Sequence, residues 1–218
     1  MPDLNFHVER AEVLEFAAVP TLLFKLRIQN VQSEAVRSVS LRTQIRIVPN
    51  RRTYSLEEQA HLVELFGEPH RWDNTLKSLL WTHTIVLVPE FTERTQIEMP
   101  VTCTYDFDVV SAKYFHALDK GDIPLEFLFS GTIFYEGPGG RLQIVQIPWE
   151  KEAEFRLPVS VWKQMMEHFF PNSAWLRLNR DTFNRLYGYK ARLGLASWEA
   201  ALEGLLRASD ERTEKVEP

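Results

Sequence analysis

The chain has 218 residues, of which 44% are hydrophobic, and its 25 basic and 30 acidic residues give it a formal net charge of −5. This mild acidity argues against non-specific nucleic-acid binding as the main role, because such binding needs a surplus of Lys and Arg. A chain of this length buries roughly 70% of its unfolded surface, so a stable core needs no covalent or metal staple.

Alternation of apolar and polar residues predicts three strands at the start of the chain, over residues 4–16, 21–29 and 36–48. A short polar turn at 30–34 separates the second strand from the third. The simplest interpretation is that these two strands form a hairpin.

A short helix is predicted after them, over residues 55–66. Ser55 and Glu58 have the spacing of a capping box, and Gly67 supplies the stop. A loop that contains Trp72 follows at 68–78, and the next strand covers 79–88. The longest strict alternation lies at 95–110, which predicts a central strand with one buried face and one wet face.

The second half of the chain changes character at Pro158. Before it, residues 111–120 suit either a strand or a helical turn, residues 123–135 predict a largely buried strand, and Gly137–Gly140 predicts a turn to a partner strand at 142–147. A last short strand is predicted at 155–157. Beyond Pro158 the apolar period becomes helical. This predicts one helix that starts near Val159 and two further helices at residues 181–193 and 197–207.

These elements predict a mainly β (α+β) fold: an antiparallel β-sandwich of seven to nine strands with one inserted helix and a C-terminal group of about three helices. The predicted domains are a sandwich at 1–157, a helical extension docked on it at 158–208, and a disordered charged tail at 209–218.

The compartment is predicted from three further features. A single cysteine, Cys103, cannot form an internal disulfide and favours a reducing environment. The first 20 residues carry acidic charges that neither a secretion signal nor a transit peptide has. No window approaches 18 uncharged apolar residues, so no membrane span is expected. We therefore expect a cytoplasmic protein.

No catalytic residue, metal ligand or cofactor is predicted. Ser130-Gly131 lies within a strand and lacks the first glycine of a nucleophile elbow. The six histidines are scattered, and His61 with Glu64 or His116 with Asp119 offers only two ligands where zinc needs three or four. Gly137–Gly140 is followed by a strand, whereas a phosphate loop needs a helix there.

Two groups of residues are candidates for binding. If the second and third strands pair, one face carries four cations, with two more just beyond Pro49; the six are Lys25, Arg27, Arg42, Arg46, Arg51 and Arg52. Such a face would suit an acidic protein segment, although carboxylates within the sheet could equally pair with it. The second group, Trp72, Trp81 and His83, would either anchor a partner or close the open end of the sandwich.

Four stretches carry a family resemblance: VPNRRTYS (48–55), LWTHTIVLVPEF (80–91), CTYDFDVVSAKYFHALDKGDIPLEFLFSGTIFY (103–135) and PWEKEAEFRLPVSVW (148–162). The chain resembles an uncharacterised bacterial domain-of-unknown-function family, whose members are often encoded beside nickel–iron uptake hydrogenase and maturation genes. The resemblance implies a cytoplasmic accessory protein for such an enzyme. It assigns no role to any residue.

The sequence thus favours a non-catalytic protein-interaction module, and the family resemblance implies that it assists assembly or stability of a nickel–iron hydrogenase. Its expected partner is a hydrogenase subunit or maturation factor. The alternative is an enzyme or small-ligand-binding protein whose site is built from dispersed residues, with Trp72, Trp81, His83 and His116 forming the wall. A structural role in a homo-oligomeric particle is a third possibility.

Overall fold

The computed structural model describes residues 1–104, 106, 109–173 and 177–214. The strands are β1 (Leu4–Val13), β2 (Thr21–Asn30), β3 (Val36–Ile47), β4 (Leu79–Val88), β5 (Arg94–Thr102), β6 (Asp122–Glu136), β7 (Leu142–Gln146) and β8 (Glu152–Pro158). The helices are α1 (Leu56–Phe66), α2 (Trp72–Thr75), α3 (Val110–His116), α4 (Val159–Phe169), α5 (Arg180–Arg192) and α6 (Trp198–Glu214). They fall into two compact units, residues 1–175 and 176–218.

Two antiparallel sheets form the first unit, which confirms the predicted mainly β fold. One sheet has the order β1-β2-β5, and the other has the order β4-β3-β6-β7. Strand β6 is long enough to pair with β8 through its first half and with β7 through its second half. Apolar side chains from both sheets meet in the core, where Phe6 stacks on Phe129 with ring centroids 4.2 Å apart.

Strands β2 and β3 do not form the predicted hairpin. Strand β2 pairs with β1 and β5, whereas β3 pairs with β4 and β6, so the turn between them carries the chain from one sheet to the other. The Asn30 side chain holds this crossing: its amide donates to the carbonyls of Glu34 (2.9 Å) and Thr92 (3.1 Å), and its oxygen accepts from the amides of Asp3 and Gln32. A polar turn therefore marks the crossing between the two sheets.

The predicted central strand is shorter than the alternating stretch at 95–110 from which it was predicted. Strand β5 ends at Thr102, which pairs with Thr21 at the start of β2, so β2 offers no further partner. The Cys103 amide still donates to the Pro20 carbonyl, after which the chain leaves the sheet. Residues Tyr105, Phe107 and Asp108 of that prediction lie outside the described residues. The ambiguous stretch that follows forms helix α3.

Helices α1, α3 and α4 belong to the sandwich unit. The predicted capping box of α1 is present, with the Ser55 hydroxyl accepting from the Glu58 amide and the Glu58 carboxylate accepting from the Ser55 amide. In α3, Phe115 packs edge-on against Trp81 of β4 at 4.9 Å. Helix α4 buries Trp162, so this unit continues beyond residue 157, where the sequence analysis set the boundary.

The second unit contains α5 and α6. Helix α6 continues to Glu214, although the sequence analysis ended the last helix near 207 and predicted disorder from 209. An ion pair between Arg207 and Glu203, one turn apart at 3.3 Å, lies just before this extension. Residues 215–218 of the predicted tail lie outside the described residues.

Candidate functional site

The predicted basic face divides between the two sheets. Lys25 and Arg27 lie on β2, whereas Arg42 and Arg46 lie on β3, and these strands do not pair. The structure therefore does not bring the four cations together. Arg51 and Arg52 follow β3 in a short 3₁₀ turn and its C-cap.

Most of these cations pair with carboxylates of their own unit. The pairs are Lys25 with Glu12 (3.0 Å) and Glu98, Arg27 with Glu9 (3.4 Å), Arg46 with Glu126 (3.8 Å) and Arg51 with Glu154 (2.7 Å). Exposed pairs of this kind contribute less than about 1 kcal/mol each. Arg42 is the exception among the six, since the described part of the chain gives it no ion pair.

Arg52 lies in a buried network and is not open to a partner. Its guanidinium pairs with Glu58 at 2.8 Å, and the two side chains are only 8% and 6% exposed. The same guanidinium donates to the carbonyls of Lys120 and Asp122, and the Asp119 amide donates to Glu58 at 2.9 Å. Burial opposes ionisation of Glu58, but the amides and Arg52 outweigh it and hold the pKa of Glu58 below its usual 4.5.

Two tyrosines continue this network. The Tyr54 hydroxyl donates to the Pro49 carbonyl at 2.7 Å and lies 2.8 Å from the Tyr114 hydroxyl, which is therefore the donor of that bond. Burial raises the pKa of Tyr54 to about 12. The stretch at 48–55 thus ties together the end of β3, the start of α1 and the turn before β6 through the hydrogen bonds of Arg52, Tyr54 and Ser55.

A depression of about 880 Å³ lies beside this stretch, and Arg52, Tyr54 and Trp72 line part of it. Trp72 is 8% exposed; its indole N–H donates to the Gly67 carbonyl at 2.8 Å, and its ring meets Tyr54 edge-on at 5.3 Å. Asp73 and Lys77 bring both charge signs to the rim. The depression can accept a small polar molecule, but we find no nucleophile hydrogen-bonded to a base among its described residues.

Trp72, Trp81 and His83 do not form a common wall. Strand β4 has a bulge at Trp81, because Ile45 and Arg46 of β3 face Thr82 and Leu80 and leave Trp81 unpaired. Trp81 therefore packs into the core, at 6.1 Å from Phe24, while His83 is exposed opposite Gln44. His116 is on α3, and burial lowers its pKa.

The free edge of β4 is a candidate that the sequence analysis missed. Strand β4 is an edge strand, whose partner is β3. Natural edge strands are normally protected by charges, prolines, bulges or short length. The other edge strands have such protection. Strand β7 is short, with five residues, and β1 has a bulge. Charged residues or prolines lie on three edge strands: Glu9, Arg10 and Glu12 on β1, Arg94, Glu98 and Pro100 on β5, and Glu152, Glu154, Arg156 and Pro158 on β8.

Strand β4 has ten residues, LLWTHTIVLV, with no Lys, Arg, Asp, Glu or Pro, and of the protecting features named above it has only the bulge at Trp81. Its outward side chains include Ile85 and Leu87, which are 65% and 71% exposed. Ile85 lies directly opposite Arg42 of β3. This β4 edge therefore offers main-chain hydrogen-bonding groups, three exposed apolar side chains (Leu80, Ile85 and Leu87) and a neighbouring cation, Arg42, without an ion pair in the described structure.

Within the residues that the structure describes, no group of three or more His, Cys, Asp or Glu side chains could hold a metal ion. None of the described helices is long and apolar enough to span a bilayer.

Comparisons with solved structures give weak similarities. The CARDB domain of the PF1109 protein from Pyrococcus furiosus, solved with di-metal ions, is 12% identical over 72% of this chain and 92% of that chain, with a TM-score of 0.29. A putative late embryogenesis abundant protein is 14% identical over 72% and 73%, with a TM-score of 0.32. The putative ApaA protein from Bordetella pertussis is 14% identical over 72% and 93%, with a TM-score of 0.23.

No curated protein matches the chain. A family model, by contrast, matches residues 1–214, which is nearly the whole length. The chain belongs to the family of unknown function DUF6084.

Proposed function

We propose that the chain is a non-catalytic accessory module that binds an extended segment of a partner protein by strand addition along β4. The observation that carries this proposal is the ten-residue edge of β4, which has no charged residue and no proline. A strand added there would satisfy the free main-chain groups of β4, and its side chains on one face would cover Ile85 and Leu87.

The environment of the edge defines the segment that fits it. Apolar residues on one face of the added strand would meet the exposed apolar side chains of β4. Neighbouring strands are about 4.8 Å apart, so a residue opposite Ile85 in the added strand is roughly 9.6 Å from Arg42 across the sheet. An extended guanidinium and a carboxylate can span that separation. The proposed segment is therefore an extended strand with an acidic residue opposite Ile85 and apolar residues two positions away from it, on the same face.

The partner that we propose is a subunit or maturation factor of a nickel–iron hydrogenase in the bacterial cytoplasm. The support for this identity is the resemblance to a family whose genes often lie beside those of the hydrogenase. Strand addition suits an assembly factor, because segments that are not yet folded have free main-chain groups.

Purification from the native host tests the proposal. We expect the tagged wild-type chain to retain a hydrogenase subunit or maturation factor, and the double variant Ile85→Lys/Leu87→Lys to retain at least tenfold less. The variant Leu56→Lys, on the exposed N-terminal residue of α1, is the matched control and should retain the partner fully.

Hydrogen exchange on the purified complex then locates the contact. Amides of residues 79–88 that exchange freely in the chain alone should become protected when the partner is bound. Recovery of the chain without any hydrogenase protein would contradict the partner, and protection confined to another strand would contradict the β4 site.

Small-ligand binding is a second candidate, which the depression beside Trp72 favours. A thermal-shift screen of metabolites tests it with the full chain. A compound that raises the melting temperature of the wild type and of Lys120→Ala, but not of Lys77→Ala on the rim, would support this function. A screen in which no compound has that effect would count against it.

A further inference from the structure

The second unit leaves most of its apolar side chains in water. Trp198 at the start of α6 holds the two helices together, with its ring centroid 5.4 Å from that of Phe183 and 6.2 Å from that of Tyr187 on α5. The Lys190 ammonium lies 5.6 Å from the Trp198 ring centroid. This one aromatic cluster is small for two helices of 13 and 17 residues.

An apolar stripe continues along α6 beyond Trp198. Leu202, Leu205 and Leu206 follow at helical spacing and are 39%, 42% and 64% exposed, and Tyr187 on α5 is 58% exposed. Apolar surface is unfavourable in water, so the exposed parts of this stripe favour a surface that covers them. The second unit, residues 176–218, is close to the size of roughly 40 residues below which a chain rarely builds a core alone, so the pair of helices gains stability from an external surface.

The charges on the two helices indicate which surface that is. Helix α5 is basic, with four cations and one acid: Arg180, Arg185, Lys190, Arg192 and Asp181. Helix α6 is acidic over 198–211, with four acids and one cation: Glu199, Glu203, Asp210, Glu211 and Arg207. A partner that covers both helices must therefore present acidic charge to α5 and basic charge to α6.

A second copy of the same pair of helices meets this requirement. In a two-fold contact the same surface is used twice, so α5 of one copy can face α6 of the other, and the reverse contact follows by symmetry. We infer that the chain forms a homodimer in which α5 and α6 of each copy bury the α6 leucine stripe of the other. This surface is separate from the β4 edge, so the inference goes beyond the proposed function and does not depend on it.

Sedimentation velocity of the full chain between 1 and 100 µM tests the inference. We expect a species of 51 kDa, twice the 25.5 kDa of one chain. The double variant Leu202→Asp/Leu206→Asp should raise the dimer dissociation constant at least 100-fold, whereas the control Leu56→Asp should leave it unchanged. Circular dichroism checks that the helices of the double variant remain folded.

A charge variant keeps the test valid if that double variant loses helix. Arg185→Glu changes an exposed position on α5 without touching the leucine stripe and should weaken the dimer at least fivefold, whereas Lys120→Glu in the first unit should not. A monomer at 100 µM, or a dimer that both α5–α6 variants leave intact, would overturn the inference. Loss of the dimer in Ile85→Lys/Leu87→Lys alone would also overturn it, because the copies would then meet along β4.

Discussion

Replacement of Glu58 by Ala should destabilise the sandwich unit more than any ordinary surface substitution. Glu58 is the acceptor in three buried contacts: the ion pair with Arg52 and the hydrogen bonds from the Ser55 and Asp119 amides. Its removal leaves the Arg52 guanidinium enclosed with no opposing charge. It also releases one half of the capping box of α1.

The expected size follows from these contacts. Breaking a buried ion pair by removing one partner costs about 3–5 kcal/mol. Loss of a helix cap costs about 0.5–2 kcal/mol. Because the same carboxylate makes all the contacts, these values overlap and do not add. We expect a loss of about 3–5 kcal/mol in the free energy of unfolding, which corresponds to roughly 6–20 °C in melting temperature.

Urea denaturation followed by tryptophan fluorescence measures this loss. Glu57→Ala is the control, since Glu57 lies in the same helical turn but is exposed and should change the free energy of unfolding by less than about 1 kcal/mol. The double variant Arg52→Met/Glu58→Leu removes both charges and should recover part of the loss. A loss below about 1 kcal/mol for Glu58→Ala would refute the conclusion that the contacts of Arg52 and Glu58 hold the end of β3, the start of α1 and the turn before β6 together.

Three further predictions concern single groups. The folded-state pKa of Glu58 is below 4.5, so its ionised carboxylate stabilises the fold above pH 4.5, and this stabilisation is lost as the pH falls through the folded-state pKa. When the free energy of unfolding in urea is measured against pH, Glu58→Gln should therefore show a smaller decrease at acid pH than the wild type. Burial raises the pKa of the Cys103 thiol to about 12, so a thiol reagent at pH 8 should label it only in urea, and rapid native labelling would contradict its burial. A Cβ on Gly131, whose φ is 132°, would lie 2.0 Å from the Ser40 carbonyl oxygen. Gly131→Ala should therefore lower the free energy of unfolding by at least about 2 kcal/mol, whereas Gly188→Ala within α5 should not lower it.

Local elements of this fold could be predicted because they depend on neighbouring residues. The capping box at Ser55 and Glu58 and the ten-residue strand β4 are examples, since each has its signal within a short window. The pairing of β2 with β5 could not be predicted in the same way, because alternation indicates a strand but not its partner. The cross-strand pair of Lys25 and Glu98 was the available signal, and it is spread over 73 positions of sequence.

The dependence on distant residues also explains why the burial of Arg52 and the β4 edge were not predicted. Arg52 was predicted to be exposed because two carbonyls that accept from it, those of Asp122 and Lys120, come 70 and 68 positions later, although its ion-pair partner Glu58 is only six positions away. The β4 edge was missed because an edge exists only once the order of strands is known. The sequence does show ten residues without charge or proline, but this indicates a binding edge only if the strand lies at the edge of its sheet.

The crossing between sheets at Asn30 has a consequence for biosynthesis. Strand β2 is complete at residue 30 but receives its second neighbour only when β5 ends at Thr102. At translation rates of about 5–20 residues per second, the edge of β2 that later pairs with β5 stays unpaired for roughly 4–14 s after the hairpin of β1 and β2 has been synthesised. A nascent chain with such a delay is a natural client for ribosome-associated chaperones, and slower codons before β5 would prolong its exposure.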